Sequence, residues 1–285
     1  MKNYEDFKAV LETEMLHYLP EQFKNYRVQT EYVPKVNGFL DALSIMPPEG
    51  CGAAPTLYFA DLYAYYLKCQ SMEQVLCCAA KVYLRGMNYL DEVNLERQLE
   101  EEPPQIVYSL VGASINQELA EIVPYRLYLD MMIIYRLMTE DGQGGFNSAI
   151  ISNDIMEELQ MTEDELYTIA AENTPKLMPL SIRKIEDAFY CMSNQYNRLG
   201  AASILYEDGL RKMADFLEDD LYILPASIHE VFLMPASECN LRILGQAVRT
   251  ANREIVQKSE VLTDSVYYYN WLSDEVEIAS ERKIN

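Results

Sequence analysis

Two β-forming runs joined by Asn37-Gly38 narrow the folds open to this chain more than any other feature. Arg27–Lys35 and Phe39–Met46 both read as extended. An Asn-Gly pair between them suits a type I′ hairpin turn, whose two central residues need positive φ. A second unit of this kind follows. Tyr125–Met138 reads as one long central strand, the glycine-rich stretch 141–145 as a turn, and Phe146–Ser152 as the returning partner. Sheets built from such hairpins are antiparallel, so helices must pack around or beside them rather than cross over between parallel strands.

The helices announce themselves by periodicity and caps. Tyr4 to Leu19 places Phe7, Val10, Leu11, Met15 and Leu19 at spacings of three and four, with Asn3 as N-cap and Pro20 closing the segment. Thr56–Phe59 reads as a short strand and Asp61–Lys68 as a tyrosine-rich helix. Ser71 to Gln74 and Thr162 to Glu165 are capping boxes. The first opens a helix to about Met87 with Val75, Leu76, Ala79, Val82, Tyr83 and Gly86 on its apolar face. The second opens one that ends near Asn173, before Pro175. Helix or loop is expected to Asp187, then a strand at Phe189–Ser193 and short helices at Gly200–Tyr206 and Asp208–Leu217. Leu221–Leu224 and Val231–Met234 read as strands around a turn. Asn240–Val256 reads as a helix with Leu241, Leu244, Val248 and Ile255 inward, and Ser265–Tyr269 as a last strand. The fold class is α+β: antiparallel β-hairpins and sheets packed with short capped helices, in one or two subdomains. The expected boundaries are 1–95 for an N-terminal subdomain, 105–270 for a C-terminal one and 271–285 for a frayed tail, with the acidic stretch Leu90–Pro104 between the first two.

The chain carries 45 acidic and 23 basic side chains, a net charge of -22. A field of one sign repels phosphates and anionic lipid and favours basic partners, so nucleic-acid binding is the class most opposed by composition. Its plainer meaning is a solvated acidic surface that keeps a protein dispersed. No apolar run is long enough to span a membrane, and the N-terminus places acids where a signal peptide needs an apolar stretch. Cys51, Cys69, Cys77, Cys78, Cys191 and Cys239 form no C-x-x-C pair; they read as small buried hydrophobes in a reducing, cytoplasmic compartment.

The segment 222–235 (YILPASIHEVFLMP), then a helix and LTDSVYYYN at 262–270, resembles the C-terminal part of a bacterial family of uncharacterised proteins, domain-of-unknown-function family 5688. Residues 56–76, 146–166 and 199–217 are similar to it as well. A fainter likeness, in the order hairpin, capped helices, strand-turn-strand, links the chain to an older uncharacterised family of cytosolic bacterial proteins. The resemblance implies a cytosolic product of Gram-positive anaerobes, often carried on mobile genetic elements. It brings no activity, cofactor or catalytic residue.

Ser227, His229 and Glu230 form the densest polar cluster and suggest a hydrolase. On an extended or turn backbone, however, Ser227 and His229 point to one side and Glu230 to the other, and no G-x-S-x-G elbow is present. The competing reading is a turn whose Ser227 and His229 bond backbone groups. An H-E-x-x-H site would need a second histidine at Leu233, so no metal site is expected. The glycines at 142, 144 and 145 lack the following helix and lysine of a phosphate loop, so no cofactor is expected. Tyrosine is abundant, with 22 residues. Tyr58, Tyr63, Tyr66, Tyr267 and Tyr269 are the candidate interaction residues, because tyrosine is enriched at interfaces; packing of the sheet is the alternative use. The residues alone leave three roles open: a non-enzymatic interaction or accessory protein, a carboxylate-studded mimic of DNA that occupies a host DNA-binding protein, and a hydrolase using Ser227 and His229.

Overall fold

The computed structural model describes residues 3–48, 55–92, 105–140, 146–186 and 188–280. The helices are α1 Tyr4–Glu14, α2 Phe59–Cys69, α3 Met72–Glu92, α4 Gln117–Ala120, α5 Asn153–Glu158, α6 Glu163–Leu177, α7 Gly209–Leu217 and α8 Leu241–Glu254. The strands are β1 Arg27–Lys35, β2 Gly38–Met46, β3 Leu57–Tyr58, β4 Ile106–Gly112, β5 Tyr125–Tyr128, β6 Met131–Glu140, β7 Phe146–Ile150, β8 Leu180–Glu186, β9 Phe189–Asn194, β10 Leu221–Ser227, β11 Glu230–Pro235, β12 Tyr267–Asn270 and β13 Glu275–Ile278. The architecture is α+β. The chain divides into two compact units, one of Met1–Lys35 with Phe39–Pro104 and one of Val36–Gly38 with Gln105–Asn285.

In the first unit a sheet of order β1-β2-β3 packs with α1, α2 and α3. Asn37 and Gly38 both take positive φ, at 62° and 155°, as the hairpin requires. Pro34, which cannot donate to a ladder, lies on the edge strand β1. The Asn3 side chain caps α1 by accepting from Asp6 N–H at 2.8 Å. Phe7, Leu11 and Met15 are fully buried beside Leu43, Ile45, Phe59, Val75 and Tyr83. Each buried side chain of that size contributes about 1.5–3 kcal/mol relative to exposure. The Tyr83 hydroxyl donates to Ile45 O at 3.0 Å. Two expectations about α3 are corrected: Val82 is 47% exposed, and Cys77 is exposed. Val75, Leu76, Ala79 and Tyr83 set the core face, and the helical turn carries Val82 and Cys77 away from it.

The second unit holds a six-stranded antiparallel sheet of order β13-β12-β10-β11-β9-β8. Its second sheet has β4 on one side of β6 and β5 on the other, with β7 also pairing β6. Alternation divides the faces of β6. Met131, Ile133 and Tyr135 enter the main core with Leu221, Ile223, Val231, Leu233 and Tyr267, while Met132 and Ile134 pack with Leu119 and Val123.

Several sequence expectations change here. The long strand Tyr125–Met138 is two strands, because Leu129 adopts a left-handed φ of 58° and turns the chain back. Leucine gives no turn signal, and the Asp130 carboxylate is tied down from elsewhere, by Tyr267 and Ser265 hydroxyls at 2.6 and 2.7 Å. Helix α6 runs through Pro175 to Leu177 and closes with Met178 N–H on Thr174 O. The stretch before Asp187 is strand β8, and the region taken as a frayed tail contains β13, paired with β12. Ile255, expected inward, is 81% exposed just past α8, where Leu244 and Val248 are the buried residues. The glycine-rich turn at 141–145 and the boundary stretch 93–104 lie outside the described residues. Strands β6 and β7 pair with Glu140 opposite Phe146.

Candidate functional site

The Ser227–His229 cluster forms the bend between β10 and β11. Ser227 Oγ accepts from His229 N–H at 3.0 Å. His229 Nδ1 accepts from Leu199 N–H at 3.0 Å, which places the neutral ring's proton on Nε2, facing Glu260 Oε1 at 3.6 Å. The serine hydroxyl and the imidazole therefore do not bond each other. Glu230 points elsewhere, accepting from Arg183 and from the Cys191 thiol, both at 3.0 Å. Burial and the Glu230 carboxylate push that thiol up to about 11. The chain is packed tightly behind the bend. A side chain at Gly200 would begin 2.6 Å from His229 O and 2.1 Å from Ser193 Oγ. The arrangement anchors a turn and does not pair the Ser227 hydroxyl with the His229 imidazole as nucleophile and base.

The candidate tyrosines are mostly packing residues. Tyr267 and Tyr269 are 1% and 2% exposed and Tyr66 is 5% exposed, so their rings are core rather than surface. Tyr63 is half-buried against the rings of Tyr4 and Phe7. Tyr58 is half-buried with Lys35 Nζ 5.1 Å above its ring. Alternation along β12 sends Tyr267 and Tyr269 to the core and Tyr268 to the other face, where it packs on Tyr222.

A cleft in the second unit offers more. It has a volume of about 750 Å³, within the range of ligand sites. One wall is β5 with Arg126, Leu127 and Tyr128. The opposite wall is the end of β12, its turn and β13. The floor is Tyr167, Ile133, Ile204 and Tyr206. The split of the long strand at Leu129 makes this wall, since it ends the sheet at β5.

Arg126 stacks 4.0 Å over the Tyr167 ring and grips Glu163 through Nε and one terminal nitrogen, at 3.2 and 2.9 Å. It also reaches Asp164 at 2.5 Å. Glu163 accepts from the Tyr135 hydroxyl as well. Its carboxylate holds the Arg126 guanidinium well above the usual arginine range. Capping fixes Glu163 in place: Thr162 and Glu165 exchange bonds of 3.3 and 2.8 Å at the start of α6.

Across the cleft, Asp274 accepts from the Tyr269 hydroxyl at 2.5 Å and lies 3.5 Å from Arg211 Nε. The Tyr269 bond is the larger cause that keeps this carboxyl below its usual value. The hydroxyls of Tyr128 and Tyr167 have no hydrogen-bond partner among the described residues, and burial pushes Tyr128 up to about 12. Among the described residues no group of three or more His, Cys, Asp or Glu is placed to hold a metal ion. No helix among them is long and apolar enough to cross a membrane.

A family model described as a family of unknown function (DUF5688) matches residues 4–189 and 186–271. The chain belongs to the DUF5688 family. Searches of curated proteins and of solved structures returned no match. The cleft of this DUF5688 member was hidden in its sequence. Arg126 and Tyr128 on β5, Tyr167 and Tyr206 come from three separate segments, and only an aspartate after Leu129 hinted at the turn that gathers them.

Proposed function

We propose that this protein is a non-catalytic binding protein that takes up a segment of another protein in the cleft between β5 and β13. The observation that carries this reading is the pair of hydroxyls, Tyr128 and Tyr167, that have no hydrogen-bond partner among the described residues and line an open cleft in which Arg126 already holds Glu163 and Tyr269 holds Asp274. A buried or half-buried phenol seeks a hydrogen-bond partner, and tyrosine supplies large contact area at small entropic cost. The fixed Arg126–Glu163 and Tyr269–Asp274 pairs make the walls rigid, which lowers the cost of binding. A cytosolic accessory role is the setting we propose for it.

Selection of displayed random peptides against the full chain tests this. Two surface variants narrow the cleft without touching the core: Leu127→Trp, at a residue 65% exposed, and Ser273→Trp, at an exposed residue. The reading expects binders that lose about tenfold or more in affinity on either variant. Recovery only of binders indifferent to both would sink it.

A further inference from the structure

We infer that the occupant of this cleft is an extended, basic segment that adds a strand to the free edge of β13. The inference rests on the binding role proposed above and names the chemistry of the partner. β13 ends the six-stranded sheet, and among the described residues no strand pairs along its outer edge. An edge strand presents a row of backbone donors and acceptors that an extended chain can join. β13 is also bordered by hollows on both faces. On one lies the cleft; on the other lies a smaller groove of about 410 Å³ lined by Asp219, Asp220, Tyr222, Tyr268 and Glu277.

Charge selects the occupant. Side chains of an added strand would alternate between the two hollows. The cleft side offers Glu207, Asp208 and Asp274 against Arg211, while Arg126 already carries Glu163 and Asp164. The groove side offers Asp219 and Asp220, and among the described residues no cationic side chain lines it. Glu275 stands on the edge itself. A strand with Lys or Arg on both faces meets opposite charge in each hollow, where an acidic or neutral strand does not. The same acids oppose pairing with a second β13, which would set Glu275 and Glu277 against their own kind. At the far end of the sheet, β8 carries Arg183, but Glu230 holds it at 3.0 Å.

The test uses the full chain and a labelled short peptide alternating Lys and Thr. Its controls are the same peptide N-methylated at alternate residues and a version with Glu for Lys. The expected result is saturable binding that weakens as salt rises, with new hydrogen-exchange protection of the 275–278 amides. Glu275→Lys, alone and with Glu277→Lys, is expected to weaken binding about tenfold or more. Both residues are exposed, so the variants keep their core; far-ultraviolet circular dichroism checks this. N-methylation is expected to abolish binding. Equal binding of the N-methylated or the Glu peptide, or none below about 1 mM, would overturn the inference. So would peptide-free association of the chain that the Glu275→Lys variant removes, which would assign the edge to a second copy. In the display selection, cleft-dependent binders without basic residues would leave the binding role standing and sink this inference alone.

Discussion

Replacing Gly200 by alanine should destabilise the second unit, although such a change often stabilises. Gly200 begins a tight 3-10 segment, and its φ lies outside the left-handed region, so the backbone alone would accept alanine. Loss of glycine's freedom in the unfolded chain would then stabilise by about 0.4–1 kcal/mol. Packing reverses the sign. The new Cβ would lie 2.1 Å from Ser193 Oγ, 2.6 Å from His229 O and 2.8 Å from Asn194 N. The serine hydroxyl can swing aside only by leaving its 2.8 Å bond to His229 O. The other two atoms are backbone in β9 and the β10–β11 bend and cannot rotate away. Overpacking costs about 1–3 kcal/mol and the lost hydrogen bond about 1 kcal/mol, leaving a net loss of roughly 1–3 kcal/mol. Trp271, the single tryptophan, lies in this unit with its indole N–H on Asp215 at 2.7 Å, so its fluorescence follows the unit's unfolding in urea. With a slope of about 2 kcal/mol per M, the midpoint should fall by roughly 0.5–1.5 M. Adding Ser193→Ala should recover only part of the loss. An unchanged or raised midpoint for Gly200→Ala would refute the reasoning.

Other perturbations follow from the same geometry. Tyr267→Phe removes a buried hydroxyl shared between Asp130 and Thr263, at 2.6 and 2.7 Å, and should cost about 1–3 kcal/mol in the same urea assay. Leu129→Gly should raise the midpoint by the equivalent of about 1 kcal/mol, because a leucine at φ 58° carries left-handed strain. Alkylation of the native chain, read by peptide mass spectrometry, should modify exposed Cys77 quickly and spare Cys191 until unfolding, since Cys191 is buried and its thiol is pushed up to about 11. Burial raises Tyr108, Tyr135, Tyr206 and Tyr267 in the folded chain. Their contribution is complete below about pH 10, the unfolded value, and is lost as pH climbs toward the folded values. An alkaline unfolding titration should therefore show cooperative loss of structure above about pH 10, with phenolate absorbance rising in step.

Local signals carried much of the fold. Asn37-Gly38 turns as a hairpin, Thr162 and Glu165 form their reciprocal cap, and the periodic helices α1 and α8 lie where spacing puts them. Signals failed where a distant contact overrode a local preference. Leu129 turns the chain against its own propensity while Tyr267 and Ser265 hold Asp130 beside it. β8 read as helix or loop because its pattern is not alternating, and only its pairing with β9 makes it a strand. The Ser227–His229 turn and the bonding of its side chains to backbone were legible, but the partner Leu199 was not, since it lies far along the chain. The cleft was illegible for a similar reason: strand pairing assembles it from short pieces, none with a motif of its own.

The tyrosine hydroxyls that end on Glu163, Asp130, Asp220 and Asp274 have a wider consequence. A phenol satisfies a carboxylate without neutralising it, so Asp130 and Asp220 are ordered by hydroxyls and keep their charge, while Glu163 and Asp274 also face Arg126 and Arg211. Bonds of that kind lose little to dissolved ions, whereas repulsion among the outer acids is screened. Raising ionic strength should therefore tighten this molecule rather than loosen it.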